Sequence, residues 1–524
     1  MRQLKAIFIL SIILLSFSSK AQLIRLSEKP ETFITDIQAV MATDNNAVAI
    51  ATGKKFETYW TNRFSSEQKT ALITTCRKMG VRGHKMAQFY YFFAILDRAI
   101  EQEKFSDEKL NSLIDITQQF VDGYDIKTST KMFEILKDFL EKRRLYASNY
   151  NRLYALNGSY ELRFLDKKID TNAPVITQNA PANQAPVELE QPKYFDDWDA
   201  APTAEAVIAS NKSAFEPDKK PMPLIGGLSI KLDNVDLIMA TSSDSVWIKK
   251  TSGTAALKDG IYVGKGGLFT FESAKLPQIS VILTDFAFEI RNPKFIAEDV
   301  TLTYIDRLTA PIKGVFEYKS EKRNKGVPPT YPRFMSYQSD AFIKNIDRNI
   351  EYRGGFSMSG SRIFSSSVQN RYSNISVKKD GKFFFKASST RFELSDSLIT
   401  SQLANFVTFI EKDSIYHPAV KFNYNQKNYV LRLNKIDAGG FKETTFSDTY
   451  HQMNIKCDAM RWNLNDGKMD FYIVSAKTQV PAVFESFDFY DAQRLTGLNS
   501  SAGFNPLLMV GNFTQKNNNL YLTP

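Results

Sequence analysis

Trp462-Asn463-Leu464-Asn465-Asp466-Gly467-Lys468-Met469-Asp470-Phe471 sets Trp462 and Leu464 in alternation with polar residues, turns through Asn-Asp-Gly-Lys, and resumes the alternation with Met469 and Phe471. Period-two patterning on both sides of an Asp-Gly corner reads as strand, turn and strand. From about residue 224 to the end the chain keeps this character, rich in Phe, Tyr, Val and Ile and broken by Gly, Asn-Asp and Lys-Asp turns. One strand pair of this kind cannot bury its apolar face alone, whereas stacked neighbours can. Internal repetition supports stacking. Phe288, Phe295 and Asp299 recur as Phe385, Phe392 and Asp396, each shifted by 97 residues. After an insertion, Asp306 and Pro311 recur as Asp413 and Pro418, and Phe316-Glu317-Tyr318 as Phe422-Asn423-Tyr424.

Two fainter echoes point the same way. Gly266-Gly267-Leu268 precedes the first copy as Gly354-Gly355-Phe356 precedes the second, and Ile230, Asp236, Asp244 and Ile248 pair with Ile455, Asp458, Asp466 and Ile473. The expected β-repeat region spans 224–524, with copies at about 228–335 and 336–430 and a partial third at 431–524. An elongated β-solenoid or open jelly-roll array is favoured, with two separate β-sandwiches as the alternative. The stretch from Phe504 to Pro524 carries no charged cap for a final β edge, so a partner or further modules are expected to cover it.

Upstream the period changes from two to 3.6. Ser65, Glu67 and Gln68 resemble a capping box, followed by Leu72, Ile73, Cys76 and Met79 on one helical face. Ser106 caps a helix with Asp107 and Glu108 in its first turn, apolar Leu110, Leu113, Ile114 and Val121, and a stop at Gly123. Met132, Ile135, Leu136, Phe139 and Leu140 repeat the pattern, while Phe89 to Leu96 is apolar nearly all round, as a central bundle helix requires. The expected fold is therefore multi-domain α plus β: an N-terminal α-helical bundle (22–165), a Pro-rich linker (166–223), and a C-terminal antiparallel, solenoid-like all-β repeat region. The linker holds eight of the chain's 19 prolines and is acidic. Asp196, Asp197 and Asp199 around Trp198 have the chemistry of calcium ligands but lack a calcium-loop spacing, so a disordered acidic segment is expected.

Residues 1–21 read as a cleaved export signal: Arg2 and Lys5, then apolar Ala6 to Phe17, then Ser19-Lys20-Ala21. No cysteine follows to take a lipid anchor, and the expected location is the periplasm or the cell surface. Loss of Arg2, Lys5 and Lys20 with the signal lowers the net charge from +10 to +7. In an exported chain such a mild excess fits anionic glycan, lipid head groups or a solvated surface better than nucleic acid. Two cysteines and three histidines in 524 residues exclude a disulfide framework and Cys- or His-rich metal clusters. Mean hydropathy is −0.30, and no transmembrane helix is expected in the mature chain.

Hydrolase elbows, zinc-protease motifs, phosphate loops and dinucleotide fingerprints are missing from the sequence. Neither cofactor nor metal is expected. Paired carboxylates could serve a polysaccharide hydrolase or lyase, and Asp299, Asp306, Asp396 and Asp413 are the available acids; their recurrence in both copies favours turn-forming aspartates. His417 follows Asp413 by four residues and His451 follows Asp448 by three, spacings that would let a carboxylate fix an imidazole as a general base. If the chain is an enzyme, Asp413 and His417 are the catalytic candidates. His84 is expected simply to begin a helix, and most of the 40 Phe and 23 Tyr to fill the core.

In layout, the signal at Met1 to Ala21, the Gly-Gly-Leu/Phe turns and the Asp-x7-Asp strand pairs resemble the large β-repeat proteins of bacterial cell envelopes, over about 300 residues. A fainter similarity links the short turn-and-strand units to the stacked jelly-roll modules of lipopolysaccharide-transport proteins, which would imply a lipid-lined groove. The helical N-terminal domain has no counterpart there. The expectation is a non-enzymatic envelope scaffold whose β array contacts a glycan, lipid or protein partner, with a secreted polysaccharide-active enzyme as the alternative.

Overall fold

The computed structural model describes residues 24–169, 221–241, 245–321, 327–344, 346, 349–379, 381–437, 441, 443–474, 478–489, 496 and 506–517. Residues 1–21, expected to be an export signal, the segment around Trp198 with Asp196, Asp197 and Asp199, and Asp244 lie outside these residues. An N-terminal helical region is followed by a large antiparallel sheet of many strands. Among the described residues, no helix is long and apolar enough to cross a membrane.

Six helices are described between residues 30 and 142. Local chemistry sets their starts. Asn46 accepts from Val48 and Ala49, Ser65 and Gln68 form a capping box, Ser106 accepts from Lys109, and Asp125 accepts from Thr128. Met86–Glu101 is the central helix, with Phe89, Phe92, Phe93 and Leu96 fully buried. Phe133 packs edge-on against Phe120 at 4.9 Å and lies tilted against Phe92 at 6.0 Å. His84 stands immediately before this helix's N-cap, Lys85, as expected, and is also buried in the core. Its Nδ1–H donates to the Met79 carbonyl at 3.1 Å, and burial holds its pKa below the usual imidazole range.

The helices stop at Lys142, where Arg143 takes a left-handed cap conformation. Residues 144–165, expected within the helical domain, are strands: Arg144–Ala147, Arg152–Leu156 and Ser159–Ile169. Their partner lies beyond the linker. Ser159–Ile169 runs antiparallel to Ile225–Ala240, from Ser159 opposite Asp233 to Ile169 opposite Ile225. The Pro-rich segment thus leaves and re-enters one hairpin, and the helices are not tethered to a separate β region. Side chains make the same connection. Glu103 takes two hydrogen bonds from Arg143 (2.6 and 2.7 Å) and one from Tyr160 (2.8 Å), while the Arg143 guanidinium stacks 4.8 Å from the Tyr160 ring. Tyr124 Oη accepts from Leu228 N at 2.9 Å, and Gly227 makes room for it: a Cβ there would stand 2.1 Å from that oxygen, on a backbone at φ +72°.

The chain divides into two compact units, the first holding the helices with Lys212–Ile346 and Arg353–Ser373, the second built mainly from Asn374 onward. Three long antiparallel hairpins organise the β structure: Ile225–Ala240 with Ser245–Ala256, Lys294–Tyr304 with Ile312–Lys319, and Leu398–Ile410 with Asp413–Asn425. Each is interrupted by bulges near its middle, which bend a strand and let it contribute to two sheets.

The sequence repetition maps onto these hairpins only in part. Phe316 and Tyr318 lie opposite Ala297 and Phe295, as Phe422 and Tyr424 lie opposite Ser401 and Ile399. The 97-residue shift is not a structural equivalence, because the place of Phe295 is taken by Ile399 while Phe392 precedes the short strand Glu393–Leu394. The slip arises before either hairpin turns: four residues, 290–293, lead from Asp285–Glu289 into Lys294–Tyr304, whereas eight, 390–397 with Glu393–Leu394 among them, lead from Lys382–Ser389 into Leu398–Ile410. Both copies nevertheless build aromatic cores. Phe269, Phe295, Phe316 and Tyr318 meet at 4.7–5.9 Å in the first unit, and Phe385, Phe392, Phe422 and Tyr424 at 5.3–6.0 Å in the second.

Candidate functional site

Asp413 opens the strand Asp413–Asn425 at a hairpin corner, and His417 lies four residues along it. At about 3.3 Å per residue that places the two backbones roughly 13 Å apart, so the strand does not bring this pair together. Asp413 Oδ1 instead accepts from Thr449 Oγ1 at 3.1 Å. The His417 ring is buried against Phe446, centroid to centroid 4.5 Å, and its Nδ1 accepts from Ala419 N at 3.1 Å. Burial, reinforced by the Lys435 charge, pushes its pKa down to about 4. A neutral imidazole whose Nδ1 lone pair is held by a backbone N–H fills space and caps a bulged strand; the geometry offers no proton transfer to a ligand.

Asp448 and His451 do meet. Asp448 is buried at the end of the strand Phe446–Asp448, where its Oδ1 accepts from Tyr450 N and His451 N and its Oδ2 lies 2.8 Å from His451 Nδ1. His451 is half-exposed, with the Tyr450 ring edge-on at 4.8 Å. The carboxylate orients the ring through Nδ1 and leaves Nε2 as the outward atom.

The other acids are dispersed. Asp299 sits exposed in the bulge of Lys294–Tyr304 at φ +54°, its N–H donating to Tyr337 Oη. Asp306 and Asp396 are exposed in turns. Sequence reasoning passed over Glu317, which is 7% exposed and opposite Arg333 in the register. Its Oε2 is buried without a hydrogen-bond partner, the Arg333 guanidinium standing 3.7 Å away, and burial pushes its carboxyl pKa up. Alternation marks Phe316 and Tyr318 as core residues, so Glu317 belongs to the opposite face. That it too is covered could not be read from periodicity.

Exposed aromatics were likewise missed. In the second unit Phe409 (50% exposed) and Phe383 (37%) pair their rings at 5.4 Å over a shallow open depression lined also by Lys382 and Glu411. Tyr416, 41% exposed, lies opposite Val407, two residues from Phe409 and on the same outward face. The strand alternation carries the signal: Thr408 and Phe406 are buried, so Val407 and Phe409 face out. Among the described residues, no group of three or more His, Cys, Asp or Glu side chains is arranged to hold a metal ion. No family model, curated protein or solved structure matches the chain.

Proposed function

We propose that this is an exported, non-enzymatic cell-envelope scaffold or binding protein whose β structure contacts another envelope component, a glycan, lipid or protein. The observation that carries the reading is the pair of outward aromatics Phe409 and Tyr416 on the hairpin of Leu398–Ile410 with Asp413–Asn425, with the exposed ring of Phe383, at the start of the neighbouring strand Lys382–Ser389, set against Phe409. Large rings held in water on a rigid sheet cost solvation and gain it back on contact. Export rests on the signal pattern of residues 1–21, and the layout-level resemblance to β-repeat envelope proteins agrees with it. The acids of the enzymatic alternative are dispersed over a bulge, two turns and a strand start, and His417 is sealed in the core.

One feature keeps the polysaccharide-active alternative in view: the Asp448–His451 dyad, with its outward ring edge. The two readings separate experimentally. Residues 22–524 are co-sedimented with isolated outer membrane and with cell-wall polymer across a salt series. Retention that persists above about 0.3 M salt supports the scaffold; retention lost by that point reports only the mild positive charge. Polysaccharide turnover that falls by orders of magnitude on His451→Ala would replace the scaffold by the enzyme.

A further inference from the structure

Phe316 and Tyr318 point into the aromatic core of the first unit, so Val315, Glu317 and Lys319 alternate onto the reverse face of the strand Ile312–Lys319. Register sets Glu317 between Ile296 and Arg333, and sets Lys294 directly opposite Lys319. Lys294 is also the diagonal neighbour of Glu317, within reach of a long side chain. Part of this face is apolar, where Val315 and Met335 pack with Ile296 and Tyr337. The apolar cluster ends at the buried Glu317, and past it Lys294 and Lys319 are exposed.

The charges gathered here do not satisfy one another. Lys294 and Lys319 form a like-charge cross-strand pair, which costs stability unless an anion lies between them. Among the described residues neither lysine has an ion-pair partner. Arg333 is held from one side: the Tyr331 ring lies 4.3 Å from its guanidinium carbon, and its Nε–H donates to the Thr330 carbonyl at 3.1 Å. Its terminal nitrogen stops 3.7 Å from Glu317 Oε2, an oxygen buried without a hydrogen-bond partner. Burial raises the Glu317 pKa against the pull of Arg333, Lys294 and Lys319, and a protonated carboxyl is a donor. The nearby Glu321 is engaged, its Oε1 accepting from Thr330 Oγ1 at 2.7 Å. Two ammonium groups, a guanidinium and an acid O–H thus offer donors in excess of acceptors. Their complement is an anion rich in oxygen. A carboxylate brings two oxygens and one charge, whereas a phosphate monoester brings three terminal oxygens and close to two charges, the better match to three cations.

We propose that Lys294, Lys319 and Arg333, with the buried Glu317 beside them, form a binding site for a phosphate monoester on the reverse face of this sheet. The test is calorimetric titration of residues 22–524 with glycerol phosphate at physiological salt, repeated with inorganic phosphate and with acetate. One saturable site for the phosphates is expected, with at least tenfold weaker binding of acetate. Lys294→Ala and Lys319→Ala are each expected to weaken phosphate binding about tenfold, while Lys313→Ala, an exposed lysine at the other end of the same strand face, changes it less than twofold. Glu317→Gln keeps a donor at the same place and is expected to bind as the native chain does. In parallel, phosphate should raise the Tm of the native chain by mass action and leave that of Lys319→Ala unmoved. No saturable phosphate binding, equal binding of acetate, or equal losses in Lys313→Ala and Lys319→Ala would overturn the proposal. The source of the phosphate is separated by flotation with phosphatidylcholine vesicles, with and without phosphatidate. Capture that needs phosphatidate and is lost in Lys319→Ala supports the site with a lipid head group as its ligand, and titration without capture supports it with a soluble phosphate.

Discussion

His417 shares strand parity with Ile415 and Ala419, and all three point into the core. That parity was the legible signal of its structural role, and proximity to Asp413 in sequence was the misleading one. An imidazole buried neutral makes stability depend on pH. Its folded pKa of about 4 lies below the unfolded value near 6.5, so between these values the unfolded chain binds the extra proton. Stability is then full above about pH 6.5 and falls as pH drops toward 4, by on the order of 3 kcal/mol. Urea unfolding from pH 7 to pH 4 should show this slope in the native chain and a flatter one in His417→Gln. Glu317 behaves with the opposite sign. Its carboxyl pKa is raised by burial, so its contribution is favourable while protonated and is lost as pH rises through the folded pKa. Glu317→Gln should therefore raise Tm by a few degrees at pH 7, since leaving a buried charge poorly paired costs about 1–3 kcal/mol, and the gain should shrink toward pH 5. An unchanged or lowered Tm at pH 7 would mean that the Arg333 pairing outweighs burial.

At the scale of elements, the helices were legible because their signals are local: Ser65 with Gln68 and Ser106 with Lys109 sit within one turn of what they cap. The alternation that announces strands is equally local, and the β region was read correctly from it. Pairing is not local. Nothing in residues 144–169 discloses that their partner begins at Ile225, because register is decided by contacts made across the intervening segment. Arg143 shows the cost of missing this, since it closes the last helix and also clamps Glu103 against Tyr160. Glu103→Gln removes the charge on one side of a half-buried pair and should destabilise the first unit by about 1–2 kcal/mol. Far-UV helical signal and the fluorescence of Trp247, on the strand Ser245–Ala256, should lose structure at one shared urea midpoint. Separate midpoints would show that the helices fold independently of the strands.

For the whole molecule, the aromatic content has two fates that composition alone does not distinguish. Phe295, Phe316, Phe385 and Phe422 fill cores, while Phe409 and Tyr416 stay in water on an outward face, with the strand-end ring of Phe383 against Phe409. The same alternation that marks a core marks its reverse side, so the platform was legible in principle at Phe409, one residue from the buried Thr408. What it binds is set by the partner's surface and leaves no trace in strand periodicity. The most direct measurement is co-sedimentation at 0.3 M salt of residues 22–524 and of the Phe409→Ser, Tyr416→Ser variant with outer membrane and cell-wall polymer. Retention of the native chain, and its loss by tenfold or more in the variant at unchanged Tm, is the expected result, because each aromatic contributes about 1–2 kcal/mol at a contact. Equal retention of both proteins would contradict the assignment of binding to this face.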